Sequence, residues 1–428
     1  MRTFKQRGPS PQRLSLMSRI YCGIDFGTSN SAVCVGRDAR LQLVPVEGES
    51  VTLPSAIFFN FETDQTTIGR EAVAQYLDGY EGRLMRALKS ILGSRLIGET
   101  TQIGTGRKDF RAIIGLYIAE LKKRAEAFAG ETIEDVVLGR PVHFVDGDPE
   151  ADARAEAELR GIAEAQGFKN ISFEYEPLAA ARDYAEGLNR EEIVLVVDIG
   201  GGTSDFSVLR LGTEKREILA NAGVHIGGTD FDTRLSLETA MRDLGYRGKL
   251  KNGNEMSSQP YVQLATWHLI NFLYTQKVIT SLRQTHYLSA ERDKTARLLE
   301  VIERQAGHDI ANRMEKAKIT LSDAETTTID FTAIDPDWQL DIDRDTLTNS
   351  VEREVAKVVV TALETVTERA GLEADAVQTL FMTGGSTALP GFEAAMQAAF
   401  SKAQMNYGDR FSSVASGLGL AARERFGG

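Results

Sequence analysis

Cysteine is nearly absent: the 428-residue chain carries two, Cys22 and Cys34. They form no CxxC pair and are too few for a disulfide framework, which removes thiol-redox and disulfide-scaffold roles. They read instead as small apolar core residues in a reducing compartment. The five histidines never recur at i, i+4, so the sequence offers no helix-borne zinc pair. No apolar run approaches the about 18 residues needed to span a bilayer. The longest, such as residues 193–197, have the length of buried strands. Positive charge is in deficit too, and a formal net charge of −12 excludes the footprint of a nucleic-acid binder or a polybasic membrane anchor. Residues 1–17 are basic and proline-interrupted but lack the apolar core of a secretory signal. They read as a disordered tail, or as an extension ahead of Met17 as the working initiator. What remains is an ordinary globular composition, 42% hydrophobic and 26% charged, on a chain long enough for two domains.

One pattern stands out from that background. In YCGIDFGTSNSAVCVG, residues 21–36, an apolar strand ends in Asp25, turns through Gly27, Thr28, Ser29 and Asn30, and returns as a strand. The arrangement recurs in IVLVVDIGGGTSDFSVLRL, residues 193–211, where Asp198 precedes Gly200, Gly201, Gly202, Thr203, Ser204 and Asp205. Both segments predict β-hairpins. Their separation is too large for a solenoid repeat and predicts two related lobes that open with the same hairpin. Glycine turns admit positive φ and bring backbone N–H groups close to phosphate oxygens, while a carboxylate at each turn suits hydrated Mg²⁺. Two further glycine pairs join the set, Gly227–Gly228 before Thr229 and Gly384–Gly385 before Ser386, each at an entry to a helix where a flat ligand such as a nucleoside can approach.

Together these segments resemble the actin-like ATPase superfamily, and within it the nucleotide-binding domain of the seventy-kilodalton heat-shock chaperones. The resemblance runs from about residue 19 to 425. It is carried by GIDFGTSNSAV, EYEPLAAARDYAEGL (174–188), VVDIGGGTSDFSV, GGTDFDTRL (227–235), EKAKITLS (315–322) and MTGGSTALP (382–390). It implies an α/β fold with two lobes, each a mixed sheet flanked by helices: residues 18–194 with 395–428, and 195–394 with a helical insertion over 232–320. It implies ATP or ADP in the cleft between lobes, with Mg²⁺ held through water by Asp25 and Asp198. Thr28, Ser29, Asn30, Gly201, Gly202 and Thr203 would line the phosphates. Lys89, in MRALKSILGS, matches the catalytic lysine by its place, although the usual KRLIG reads KSILG; its alternative is a solvated helix lysine. Glu176 and Asp205 match the acids that position the attacking water, and for Glu176 a plain helix-opening acid stays open. Glu315, Lys318 and Ser322 match ribose and adenine contacts.

Three departures qualify the resemblance. The two arginines that flank the adenine are replaced by Ile319 and Ala388, which predicts weaker nucleotide binding and looser base choice. The chain ends at SGLGLAARERFGG without a peptide-binding domain, so a stand-alone ATPase is expected, with its client or partner on another chain. The stretch 236–314 is helix-rich, and YVQLATWHLINFLYTQKVITSL (261–282) has near-helical apolar spacing, either a packed subdomain or a docking face. Elsewhere, 351–371 predicts one amphipathic helix closed by Gly371, and 136–144 a strand through Pro141. The reading is thus a slow, chaperone-like cytoplasmic ATPase, monomeric, with no nucleic acid or membrane partner. The alternatives are a filament-forming relative, a kinase of the same superfamily for a sugar or small acid, and a binder without turnover.

Overall fold

The computed structural model describes residues 19–145, 147–212, 215–408 and 412–427; the expected tail or extension, 1–17, lies outside the described residues. Two mixed sheets organise the chain. In the first, strand Ile20–Phe26 pairs antiparallel with Asn30–Arg37, which pairs with Arg40–Leu43, while its other edge runs parallel to Asp135–Arg140 and then Asn170–Tyr175. In the second, Glu192–Ile199 pairs antiparallel with Ser204–Leu211, which pairs with Arg216–Val224, and its other edge runs parallel to Thr379–Thr383 and then Gln404–Tyr407. The two sheets therefore share strand order and direction. The repeat visible in the sequence as a hairpin extends over five strands.

Strand Glu192–Ile199 is apolar without alternation because both its faces are covered. Leu195, Val197 and Ile199 join one core with the helices Gly228–Glu238 and Arg344–Glu364, while Val194 and Val196 join another with Ala180, Ala181 and Ala185. In the first sheet Cys22, Ile24 and Phe26 pack against helices Phe110–Ala129 and Pro149–Ala165. Tyr21, on the opposite face, packs with Ala179, Leu418, Ala421 and Ala422. The short helices Glu176–Ala180 and Arg182–Glu186 and the last helix, Ser413–Phe426, thus form a layer between the sheets. That layer is tight. A Cβ on Gly23 would lie 2.4 Å from the backbone nitrogen of Gly419, and one on Gly417 would lie 1.8 Å from the Ala179 carbonyl oxygen. Asp25 shares the strand parity of Tyr21, and Asp198 that of Val194 and Val196, so both carboxylates turn toward this middle layer.

Several expected boundaries move. The strand predicted through Pro141 ends at Arg140, since proline has no N–H to donate to the ladder. Residues 174–188 hold a strand end and two short helices that break at Ala181. The helix expected over 351–371 begins earlier, at Arg344, capped by the Asp343 carboxylate accepting from the Thr346 N–H. It widens into a π-helical turn, Thr365–Arg369, before Gly371 adopts φ +66°. The apolar run 261–282 is not one helix: Thr266 and Thr275 take extended conformations and split it into Gln259–Ala265, a 3₁₀ segment Trp267–Tyr274 and Gln276–Leu288. Strand Gln404–Tyr407 lies in the second sheet, so the chain returns to the first sheet with the helix from Ser413, later than residue 395. Among the described residues, no helix is long and apolar enough to cross a membrane.

Candidate nucleotide site

The first hairpin turn is held from outside by a residue that carries no sequence signal. Ser55 donates its hydroxyl to the Gly27 carbonyl (2.6 Å) and its N–H to the Ser29 carbonyl (2.8 Å). Gly27 needs clearance rather than an unusual φ: a Cβ there would meet the Asn30 carbonyl oxygen at 2.0 Å. Gly27→Ala is accordingly expected to destabilise the protein by about 1–3 kcal/mol, measurable by urea denaturation. The expected positive φ is not used at Gly200, Gly201 or Gly202 either; none belongs to the positive-φ glycines among the described residues.

The second turn is bolted by the two later glycine segments. Gly228 donates its N–H to the Gly200 carbonyl (3.0 Å), Thr229 donates both N–H and hydroxyl to the Gly201 carbonyl (2.7 and 2.9 Å), and Ser386 donates to the Gly200 carbonyl (3.3 Å). Gly227 donates its N–H to the Asp230 carboxylate, fixing the entry to helix Gly228–Glu238. Gly384, at φ +83°, brings its backbone against Asp198: a Cβ there would fall 2.5 Å from Oδ1. Gly385 opens a 3₁₀ turn that ends at Ala388. The two hairpin turns also touch each other, since a Cβ on Gly201 would lie 2.2 Å from the Ser29 hydroxyl oxygen. Thr28, Asn30, Gly202 and Thr203 remain exposed around that contact.

Beside the turns lies a charged cluster. Lys89, in the 3₁₀ turn Leu88–Ile91, is buried and ion-paired with Glu176, which excludes the solvated alternative. Glu176 also opens its helix ahead of Pro177, as the plain helix-opening alternative expects. Burial by itself would push the Lys89 ammonium down, but Glu176, Asp25 and Asp198 outweigh it and hold the pKa above the ordinary lysine value. Asp25 is pushed up to about 7 by burial and then by Glu176, against the pull of Lys89. Asp198 is pushed up to about 7 by burial and then by Asp205 and Glu176. Thr203 donates its hydroxyl to Asp205 (2.9 Å). Three carboxylates thus face Lys89, with Asp205 beside Asp198, an excess of negative charge that suits a further cation. Among the described residues no three His, Cys, Asp or Glu converge to hold a metal by themselves. Two carboxylates completed by water and phosphate oxygens fit the habits of Mg²⁺.

The opposite wall is helix Gly307–Asp323. Lys318 is buried, pairs with Asp232 at 2.8 Å and donates to the Gly228 carbonyl at 3.2 Å. Asp232 is pushed up to about 6 by burial, with Lys318 opposing and Glu315 adding to the rise. The helix thereby ties to the segment that bolts the second turn. Ser322 donates its hydroxyl back to the Lys318 carbonyl, and Ile319 is 58% exposed. Sequence reasoning missed Asp232 and Ser55. The first had a signal, an acid one turn into a helix after paired glycines; the second had none.

Two sheets of one topology, their hairpin turns meeting over a shared acidic cluster, are the actin-like ATPase fold. The chain belongs to the Hsp70 family, whose model, described as Hsp70 protein, matches residues 21–245 and 283–423. It is similar to the chaperone protein DnaK of Thermotoga neapolitana, 34% identical over 219 residues, and to that of Thermosipho africanus, 33% over 218; each match covers 50% of this chain and 34% of the relative. The DnaK of Thermotoga maritima is 35% identical over 219 residues with the same coverage. The matched region spans about a third of the length of these curated relatives.

Proposed function

We propose that the chain binds ATP and ADP with Mg²⁺ between its two sheets and hydrolyses ATP slowly, with water as acceptor. The observation that carries this reading is the contact of the two hairpin turns beside Asp25, Asp198 and the Lys89–Glu176 pair. Backbone N–H groups and hydroxyls of Thr28, Ser29, Asn30, Gly201, Gly202 and Thr203 hold phosphate oxygens. Lys89, drawn in by three carboxylates, places a fixed positive charge where charge develops on the transferred group. Glu176 and Asp205 orient the attacking water, with Thr203 fixing Asp205. Asp25 and Asp198 would hold Mg²⁺ through water, and the ion would supply positive charge against the phosphates. Glu315, Lys318 and Ser322 meet the ribose and base, while Gly227, Gly228, Gly384, Gly385 and Ser386 keep that pocket narrow.

A monomeric, cytoplasmic protein whose nucleotide state is read by a client or partner on another chain belongs to the same reading; the free, buried thiols of Cys22 and Cys34 support its reducing compartment alone. Calorimetric titration with MgATP and MgADP, followed by phosphate-release assay, tests it. Binding should vanish in EDTA. With Ile319 and Ala388 where arginines would stack, ATP should be preferred over GTP by no more than about tenfold. Absence of binding to either nucleotide at millimolar concentration overturns the reading.

A further inference from the structure

Ser55 holds the first turn, and its place in the chain gives it a second connection. It is the single residue between strand Thr52–Pro54 and strand Ala56–Asn60. The first of these pairs with the returning strand of the first hairpin, Pro54 opposite Asn30; the second belongs to a separate three-stranded sheet. In that sheet Ala56 stands opposite Arg86, the last residue of strand Gly82–Arg86. One residue later Ala87 takes a left-handed φ of +55°, and the 3₁₀ turn with Lys89 begins. Ser55 therefore grips the phosphate turn with its own atoms, while its chain neighbour starts the ladder that delivers Lys89.

The Ser55 hydroxyl is locked from behind. Its proton goes to the Gly27 carbonyl, so Ser31 is the donor in the 3.0 Å contact between the two serine hydroxyls. Tyr117, from helix Phe110–Ala129, donates its phenol to the Leu53 and Pro54 carbonyls, 3.1 Å from each, and steadies the strand that brings Ser55 to the turn. Ser31, Ser55 and Tyr117 are all buried. A trans peptide points its N–H away from its C=O. With the Gly27 carbonyl drawn onto the Ser55 hydroxyl, the Thr28 N–H faces away from Ser55, and Thr28 itself lies exposed. The Ser29 carbonyl, bound by the Ser55 N–H, turns the Asn30 N–H away in the same manner.

We propose that Ser55 is a positioning residue that sets the donors of the first turn against Lys89, so that its hydroxyl governs the rate of phosphoryl transfer more than the hold on nucleotide. The rate role rests on the nucleotide reading above; the fixing of the turn does not. Without the hydroxyl, the bond from the residue 55 N–H to the Ser29 carbonyl still keeps the turn in place. What is lost is the fixed plane of the Gly27–Thr28 peptide relative to the ladder that ends beside Lys89. A transferring phosphoryl group then meets donor and ammonium out of register, and small misplacements weigh heavily on such a step. A bound diphosphate still finds Ser29, Asn30 and the second turn.

Two variants of the full chain test this, Ser55→Ala and Ser55→Cys, the second filling nearly the same space with a group that donates weakly. Each should lower kcat for MgATP about tenfold while KM and Mg-ADP affinity stay within threefold of wild type. Hydrogen–deuterium exchange without nucleotide should speed about tenfold over residues 27–31 in both variants. A side chain that only fills space would leave Ser55→Cys like the wild type. A kcat within twofold of wild type in Ser55→Cys therefore overturns the proposal, as does a rise in KM as large as the fall in kcat. Should Ser55→Ala not fold, Ser55→Cys decides alone. Failure of the wild-type chain to turn over MgATP overturns the reading of the site and the rate role with it, while exchange still decides whether Ser55 fixes the turn.

Discussion

Replacing Lys89 by alanine is expected to cut ATP turnover by about 10²–10³-fold while leaving Mg-ADP affinity within a few-fold. The basis is electrostatic. Lys89 is the one ammonium facing Asp25, Asp198 and Glu176, and it is buried, so water does not screen it as it would a surface lysine. On the proposed reading its charge would contribute most where negative charge moves during phosphoryl transfer, and less to a diphosphate held by backbone N–H groups. Lys89→Arg should recover little, because a planar fork cannot occupy the space of a compact ammonium beside Glu176. Single-turnover phosphate release and calorimetry on the same preparations make the comparison. Turnover of Lys89→Ala within threefold of wild type would remove the catalytic assignment.

The second large effect is on stability, and its sign runs against intuition. Asp198→Asn should make the nucleotide-free, metal-free protein more stable at pH 8, raising Tm by a few degrees, while abolishing Mg²⁺-dependent nucleotide binding. Burial, then Asp205 and Glu176, push the Asp198 carboxyl up to about 7 from an ordinary value of 3.8. Between those values the folded chain keeps a proton that the unfolded chain has released. The stabilisation is therefore complete below about pH 4 and is lost as pH rises through 7. Asparagine has no proton to lose and escapes the penalty. Asp25, pushed up to about 7 by burial and then Glu176, should behave alike on change to asparagine. In the wild type, Mg²⁺ with nucleotide should raise Tm more at pH 8 than at pH 5.5, because the cation removes a repulsion that protonation has already removed in acid. Melting curves at the two pH values, with and without MgADP, decide it. An Asp198→Asn variant less stable than wild type at pH 8 would show that the cluster is not held under charge repulsion.

How much of this was legible in the chain differs from element to element. The hairpins around Asp25 and Asp198 could be read because they are local: an apolar strand, a turn and a returning strand occupy consecutive residues. The fuller repeat could not. Its fourth and fifth strands, such as Asn170–Tyr175 and Gln404–Tyr407, are short and half exposed, and parallel pairing leaves no local trace of the partner. Gly27 and Gly201 serve by close approach, one of the two properties expected of the glycine turns, and not by positive φ. Positive φ is a property of one residue, whereas the clearance that Gly27 and Gly201 provide depends on which atoms stand opposite. The run 261–282 has the spacing of one helix, yet Thr266 and Thr275 break it, since β-branched residues yield readily to extended backbone when packing demands it.

The amino-acid sequence alone determined that this is a two-part α/β chain with a carboxylate and a glycine turn at the head of each part, because those features are written in neighbouring residues and in their periodicity. Only the tertiary structure decided that the two turns touch, that Lys89 is buried against Glu176, and that Asp232 holds Lys318. Each of those facts joins residues distant in the chain. Such contacts arise from the packing of whole layers, and no window of sequence contains both partners.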